Sequence, residues 1–164
     1  MENLSFRPDD NDVENTVKTY SNMLFKLCFT LLRNNADAED AVSDVFLKYI
    51  STSISFTDEE HKKAWLIRVA TNICKNTIKF RKVRNHINLD DAAEYCKSDN
   101  DIGIFTELLN LPAKYRTVIH LYYVEGYKTS EIADILSVSP AAVRKRLQYG
   151  RDMLKIEYGK DVLL

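Results

Sequence analysis

Residues 128–148 constrain the fold of this chain more than any other segment, because they contain two short amphipathic helices with only a tight turn between them. Ser139 can cap the free backbone N–H groups at the start of the second helix. Pro140 suits the first helical position, where its missing N–H group costs nothing. Residues 137–139 are therefore predicted to form the turn of a helix-turn-helix.

The second of these helices has one apolar and one polar face. At about 100° per residue, Val143, Leu147 and Leu154 share the apolar face. The opposite face carries Arg and Gln, whose side chains match guanine and adenine edges in the major groove, and nearby arginines can bracket phosphates. The residues predicted to contact DNA are Pro140, Ala141, Arg144, Lys145, Arg146, Gln148 and Arg151. The alternative is an ordinary helical hairpin with a solvated basic face.

The composition is that of a folded, helical protein. The chain has 164 residues, of which 45% are hydrophobic, and only four Gly and three Pro; this excludes wholesale disorder and favours helices. Neither a secretory signal nor a membrane-spanning apolar run is present. We therefore expect a cytoplasmic protein without membrane insertion.

Neither a metal site nor an enzyme is predicted. Cys28, Cys74 and Cys96 are odd in number, far apart and without a C-x-x-C pair, and the three histidines are isolated from them. We expect reduced thiols in packing roles. The glycine-rich phosphate loop, the G-x-S-x-G elbow and the H-E-x-x-H motif are missing, so the sequence predicts no catalytic residue and no cofactor.

Charge is segregated along the chain behind a formal net charge of −1. Residues 61–85 contain eight Lys and Arg and no Asp or Glu, whereas residues 37–44 and 90–101 are mainly acidic. The distribution of charge along the chain matters more for binding than the net charge does. The first acidic block spreads its carboxylates around a helix, which favours a solvated or partner-facing surface over a magnesium site. Its members, called here the acidic surface, are Asp37, Glu39, Asp40 and Asp44.

The basic block predicts one long helix over about residues 61–84. Its predicted apolar face consists of Leu66, Val69, Ala70, Ile73, Thr77 and Phe80. A sector on the other side, called here the basic stripe, holds Arg68, Asn72, Lys75, Asn76, Lys79 and Lys82. Trp65 falls on the edge of this stripe. It could stack on an unpaired base, a contact worth about 1–3 kcal/mol, or it could fold over the helix start and cap the core.

Further patterns complete the predicted architecture. Residues 36–50 hold an apolar stripe at strict helical spacing, made of Ala38, Ala41, Val42, Val45, Phe46 and Tyr49. The pattern disappears over residues 85–104, which predicts a flexible acidic linker. The sequence therefore predicts an all-α fold of two small helical domains. An N-terminal helical bundle spans residues 13–84, and a C-terminal helix-turn-helix domain spans residues 105–160.

Three motifs follow one another in the order found in a known protein family. Ala36-Asp-Ala-Glu-Asp-Ala-Val-Ser-Asp-Val-Phe-Leu47 is similar to a D-A-E-D signature, and Trp65-Leu-Ile-Arg-Val-Ala-Thr-Asn72 is similar to the W-L-x-x-I-A-x-N signature that follows it. Leu111-Pro112, Tyr122-Tyr123, Glu125-Gly126 and Glu131-Ile-Ala133 through Arg146-Leu147 complete the series. In this order the chain resembles a bacterial RNA polymerase sigma factor of the extracytoplasmic-function (ECF) class. This is the short type of sigma-70 protein, with only conserved regions two and four.

The resemblance implies a function and a partner surface. A sigma factor directs core RNA polymerase to specific promoters and assists DNA melting at transcription initiation. In the family, the D-A-E-D helix docks on a coiled coil of the largest polymerase subunit. The implied polymerase-binding residues are Asp37, Glu39, Asp40, Asp44 and Phe46. A cognate anti-sigma factor is a further partner that the family implies.

The resemblance also implies how promoter DNA is bound. The basic helix would lie along the −10 element, and the helix-turn-helix would bind the −35 element. Residues 51–60 match the family's loop for a flipped base, with a solvated connection as the alternative. The implied −10 contacts are Phe56, Trp65, Arg68, Asn72, Lys75, Asn76, Lys79, Arg81 and Lys82.

Two rival functions are compatible with the residues alone. One is a stand-alone helix-turn-helix transcriptional regulator whose N-terminal helices dimerise or sense a signal. The other is an all-helical protein-interaction adaptor without a nucleic-acid role. Binding to core polymerase separates them, because the regulator would bind DNA without polymerase and the adaptor would bind neither.

Overall fold

The computed structural model describes residues 7–80 and 99–158, with side chains described for residues 7–80 and 105–154. The helices in this part of the chain are α1 (Asp10–Leu32), α2 (Asn35–Ser51), α3 (Glu59–Phe80), α4 (Asp99–Asn110), α5 (Ala113–Ile119), a π-helical turn (His120–Val124), α6 (Thr129–Leu136) and α7 (Pro140–Tyr158). No strand occurs among the described residues, and the predicted all-α fold is confirmed for them.

Local caps set the boundaries of the first two helices. The Asp9 carboxylate accepts the N–H of Asp12 at 2.7 Å, which satisfies one free donor at the start of α1. Arg33 ends α1 in the left-handed region, with φ of 62°, and its N–H donates to Phe29 O. Asn34 then caps α2 by accepting the N–H of Asp37 at 2.9 Å. Two helices can therefore follow each other within two residues.

The N-terminal bundle is built from α1, α2 and α3, each packed on the other two. The predicted stripe of α2 is confirmed, since Ala38, Ala41, Val45, Phe46 and Tyr49 are buried and Val42 is half-buried. Cys28 of α1 and Cys74 of α3 are fully buried, which confirms the predicted packing role for these two, and Cys96 lies outside the described residues.

The predicted apolar face of α3 is wrong at its C-terminal end. Phe80 is 79% exposed, while Ile67, Thr71 and Cys74 are buried. Leu66 and Ala70 of the predicted face are buried as well, so contact with both α1 and α2 buries a wider face of α3 than the predicted stripe. Periodicity alone does not give the width of a buried face, because that width depends on where the neighbouring helices lie.

The C-terminal domain contains the predicted helix-turn-helix. The N–H of Ala142 donates to Ser139 Oγ at 3.1 Å, and α7 begins at Pro140, so the predicted cap is confirmed. Val143, Leu147 and Leu154 are buried against the rest of this domain. At Gly150 an added Cβ would lie 3.0 Å from the Ile119 side chain, so glycine permits the close approach of α7 to α5. Residues 99–104, predicted as the end of the linker, already belong to α4.

The two domains pack against each other, which the sequence did not predict. α1 contacts α5, and α3 contacts α6. Arg116 is only 4% exposed and joins both domains: its guanidinium donates to Leu31 O at 2.8 Å and to Leu109 O at 3.3 Å. Thr30 Oγ1 lies 3.2 Å from His120 Nδ1 across the same junction.

Candidate nucleic-acid interface

The basic stripe lies on the solvent side of α3. Its described members, Arg68, Asn72, Lys75, Asn76 and Lys79, are all exposed. Lys82 and the neighbouring Arg81 lie outside the described residues. α3 thus presents a continuous row of cations and amides, side chains that can bind phosphates and base edges.

Lys62 is the exception among the described cations of the basic block (residues 62–79), because it is buried at 8% exposure. Its Nζ lies 3.1 Å from Asp12 Oδ1, and the Tyr49 hydroxyl donates to the other oxygen of Asp12. Burial alone would lower the pKa of Lys62, but its hydrogen bonds to Asp12 and Tyr49 raise it above the ordinary value. Lys62 therefore ties the start of α3 to α1 and α2, a role that no local sequence signal predicts.

Trp65 and Phe56 belong to an aromatic cluster with Tyr49 and His61. The ring centroids are 5.6 Å apart for Phe56 and Trp65, 5.3 Å for Phe56 and His61, and 6.2 Å for Tyr49 and Trp65. Both Phe56 and Trp65 are half-buried. In this state Trp65 caps the core, the second of its two predicted alternatives, although it still borders a groove with Arg68.

His61 anchors the loop that precedes α3. The N–H of Thr57 donates to His61 Nδ1 at 3.2 Å, and the N–H of His61 donates to Asp58 Oδ1 at 2.8 Å. Asp58 therefore caps the start of α3. An Asp three residues before His61 is an N-cap signal that the sequence itself contains. These contacts hold the C-terminal end of the loop against the first turn of α3.

The outer face of α7 is exposed as predicted. Pro140, Ala141, Arg144, Lys145 and Gln148 are all open to solvent, whereas Arg146 is half-buried.

Arg151 of α7 is directed at its own domain. Its Nε donates to the Tyr123 hydroxyl at 2.6 Å, and its guanidinium lies 5.3 Å from the centre of the Tyr122 ring. In this arrangement Arg151 supports the domain, and the geometry does not aim it at a phosphate.

The acidic surface is only partly as predicted. Glu39, Asp40 and Asp44 are exposed and Asp37 is half-buried, but Phe46 is 9% exposed and packs in the core. Its burial follows from the apolar stripe of α2, which includes it. The exposed apolar side chains next to the acids are Leu47 and Ile50, at 63% and 45% exposure. Sequence analysis missed them, although both lie off the buried stripe.

Two family models match the chain along most of its length. The model of "Sigma-70 region 2" matches residues 16–84, and that of "Sigma-70, region 4" matches residues 104–154. The chain belongs to the sigma-70 family. Its curated relatives are ECF sigma factors, and this protein is a sigma factor of the same class, which directs core RNA polymerase to promoter DNA.

Two of those relatives show the extent of the similarity. This sigma factor is 27% identical over 168 residues to the "ECF RNA polymerase sigma factor SigW" of Bacillus subtilis, which covers 90% of this chain and 89% of the relative. It is 28% identical over 158 residues to the "ECF RNA polymerase sigma-E factor" of Haemophilus influenzae, which covers 85% and 83%.

Solved structures share the fold of this sigma factor. The sigma factor RpoE from Bartonella quintana, in complex with the anti-sigma factor NepR, matches with a TM-score of 0.74 and 19% identity, over 92% of this chain and 99% of the other. CnrH in complex with the cytosolic domain of CnrY matches with a TM-score of 0.70 and 23% identity, over 93% and 91%. Within the described residues of this sigma factor, no helix is long and apolar enough to span a membrane.

Proposed function

We propose that this sigma factor recognises a two-part promoter with two separate helical surfaces and assists melting without catalysing a covalent step. The basic stripe of α3 binds the −10 element, and the outer face of α7 binds the −35 element. The observation that carries this proposal is the exposure of both rows of side chains on domains that match regions two and four. The N-terminal domain is assigned to residues 13–84, and the C-terminal domain to residues 99–160, because α4 begins at Asp99.

DNA melting is favoured because these side chains bind the unpaired strand more tightly than they bind the duplex. Arg68, Lys75 and Lys79 hold phosphates, while Asn72 and Asn76 meet base edges. Extrusion of a base from the stack costs a few kcal/mol. The loop that contains Phe56 offsets this cost by hydrogen bonding to the base and stacking on it. The aromatic cluster supports this role because it fixes the loop beside the basic stripe. Trp65 can then stack on an unpaired base at the end of the cluster.

Core polymerase docks on the acidic surface and its apolar border. Glu39, Asp40 and Asp44 supply charge for a basic partner, and Leu47 and Ile50 supply apolar area. Phe46 packs in the core and fixes the position of α2. Polymerase then holds both DNA-binding domains, and two weak contacts gain by effective concentration. Alone, the protein binds promoters poorly. It acts in the cytoplasm, and a cognate anti-sigma factor is a further partner.

The first test is run-off transcription with core enzyme and a genomic promoter library. We expect promoter-dependent transcripts only when this protein is added. Pull-down with core polymerase provides the second readout, because a stand-alone regulator or an adaptor would not be retained. The absence of transcripts from every promoter would refute the proposal.

Two substitutions separate the roles of the two surfaces. Arg144→Ala should change the preference among −35 sequences, because Arg144 reads base edges. Lys79→Ala should weaken binding uniformly and reduce the salt slope by about one, because Lys79 binds phosphate. Both effects are measured by DNA binding of the polymerase holoenzyme at several salt concentrations. Equal effects of both changes on all sequences would contradict the assignment.

A further inference from the structure

We propose that the free protein is closed: α6, the first helix of the helix-turn-helix, covers part of the basic stripe and excludes −10 DNA until the domains separate. This inference rests on the proposed function of α3. It identifies α6, a segment of the same chain, as a binding partner of the basic stripe. Four observations support it.

The first observation is the position of Arg68. Its Nε donates to Ile135 O at 3.3 Å, and its Nη2 donates to Asp134 O. These carbonyls lie in the last turn of α6, where the helix dipole is negative, and Asp134 O also accepts the N–H of Ser137 at 3.4 Å. A guanidinium binds the oxygens of a phosphate with the same fork of donors. Arg68 therefore uses on α6 its Nε–Nη2 edge, one of the edges with which a guanidinium binds a phosphate through two hydrogen bonds.

The second observation is an ion pair between the domains. Lys63 Nζ lies 3.4 Å from Glu125 Oε2, and the side chains are only 25% and 10% exposed. The other carboxylate oxygen lies 3.7 Å from Nε2 of buried His120. Burial alone would raise the pKa of Glu125, but His120 and Lys63 lower it below the ordinary value. Glu125 is therefore charged at neutral pH and holds Lys63 of α3 to the C-terminal domain.

The third observation is the composition of the grooves at the junction. Trp65 and Arg68 border a groove of about 340 Å³ whose other wall includes Glu131 and Asp134 of α6. The carboxylates of Glu131 and Asp134 thus lie where the negatively charged phosphates of a bound DNA strand would lie. The charge complementarity that suits the basic stripe to DNA also suits it to α6.

The fourth observation concerns distance. Asn72 and Lys75 share a second groove, of about 300 Å³, with Arg146 of α7. The proposed −10 surface and a residue of the −35 helix therefore border one groove, whereas two turns of DNA separate the two promoter elements by about 70 Å. The closed arrangement cannot engage both elements, so promoter binding requires opening. A partner that binds only the separated domains shifts this equilibrium.

The test uses Lys63→Glu, because Lys63 lies outside the proposed DNA contacts. The change places a second carboxylate against Glu125 and should open the protein. The probe is a fluorescent forked-DNA pool with a randomised single-stranded arm, bound to the free full-length chain. Electrostatics alone predicts weaker binding to a more acidic variant. Opening predicts binding tighter by about five- to tenfold, a typical coupling between two states.

Three controls make the result specific. Lys18→Glu makes the same charge change in a surface pair with Glu14, within α1, and should not tighten binding. The exchange Lys63→Glu with Glu125→Lys should restore the affinity of the original chain. If Lys63→Glu does not fold, as judged by circular dichroism, Glu125→Gln tests the same pair, with Glu14→Gln as its matched control.

Opening itself is measured without DNA, by small-angle scattering and by amide exchange of α3 and α6. The proposal expects a larger radius and faster exchange in Lys63→Glu than in Lys18→Glu. It is overturned if the original chain is already extended, or if the variant opens without gaining affinity. Run-off transcription by the original chain with core enzyme keeps the two proposals apart. Transcription without any gain on opening would reject closure and leave the promoter function standing, whereas loss of all transcription would reject the promoter function itself.

Discussion

Among the Lys and Arg residues of the described N-terminal bundle, Lys62 is the buried one. It joins the first turn of α3 to Asp12 of α1 at 3.1 Å while almost fully buried. We expect Lys62→Met to lower the free energy of unfolding by about 1–2 kcal/mol, because the hydrogen bonds to Asp12 are lost while the aliphatic stem still packs. Urea denaturation followed by circular dichroism measures the change. Lys48→Met, on the exposed side of α2, is the control and should have almost no effect.

The same contacts predict how stability depends on pH. Burial alone would raise the pKa of Asp12, but hydrogen bonds from Tyr49 and Lys62 lower it below the ordinary value. As pH falls through about 4, the unfolded chain therefore takes up this proton before the folded chain does. The stabilisation is complete above that pH and is lost as pH falls through the folded pKa. Asp12→Asn should reduce the loss of stability between about pH 5 and about pH 3. An unchanged pH profile would contradict this role.

At the scale of elements, the start of α7 depends on one side chain. Ser139 Oγ accepts the N–H of Ala142 at 3.1 Å and fixes where the proposed recognition helix begins. We expect Ser139→Ala to destabilise the protein by about 1 kcal/mol, the usual cost of losing such a cap. Thermal unfolding measures it. Ser139→Asp keeps an acceptor and adds charge that suits the helix N-terminus, so it should unfold like the original chain. Equal losses from both substitutions would mean that another contact sets the helix start.

The sequence predicted those elements whose boundaries and buried faces are set by residues close together in the chain. The Ser139 cap and the stripe of α2 each depend on residues a few positions apart, and the structure contains both. The burial of Lys62 and the exposure of Phe80 depend on where other helices pack. Lys62 pairs with a residue 50 positions away, and no local pattern records such a partner. The exposed residues of the basic stripe were predictable for the same local reason, whereas its contact with α6 was not.

The proposed promoter binding adds a requirement at the scale of the whole molecule, since the two proposed DNA-binding surfaces must act at one fixed separation. In the closed arrangement Asn72 and Arg146 border one groove, and on a promoter the two elements lie about 70 Å apart. The junction combines apolar packing, such as the stacked rings of Phe29 and Phe105 with centroids 6.1 Å apart, with polar contacts such as those of Arg116 and Arg68. Once the domains part, water can solvate the polar groups, so no buried charge is left without a partner. A partner that binds only the separated domains can therefore shift the molecule toward an open arrangement.

This requirement predicts a strict dependence on promoter spacing. A promoter selected by run-off transcription should lose activity when about five base pairs are inserted between its two elements, because half a helical turn moves the −35 element to the opposite side of the DNA. Loss of one of two linked contacts costs about 10²–10⁴ in effective affinity, so we expect at least a hundredfold loss of transcript at limiting holoenzyme. Arg144→Ala on the unaltered promoter is the matched control, because it weakens the −35 contact without changing its position. If transcript levels were insensitive to the insertion and to Arg144→Ala alike, the chain would be using the −10 element alone.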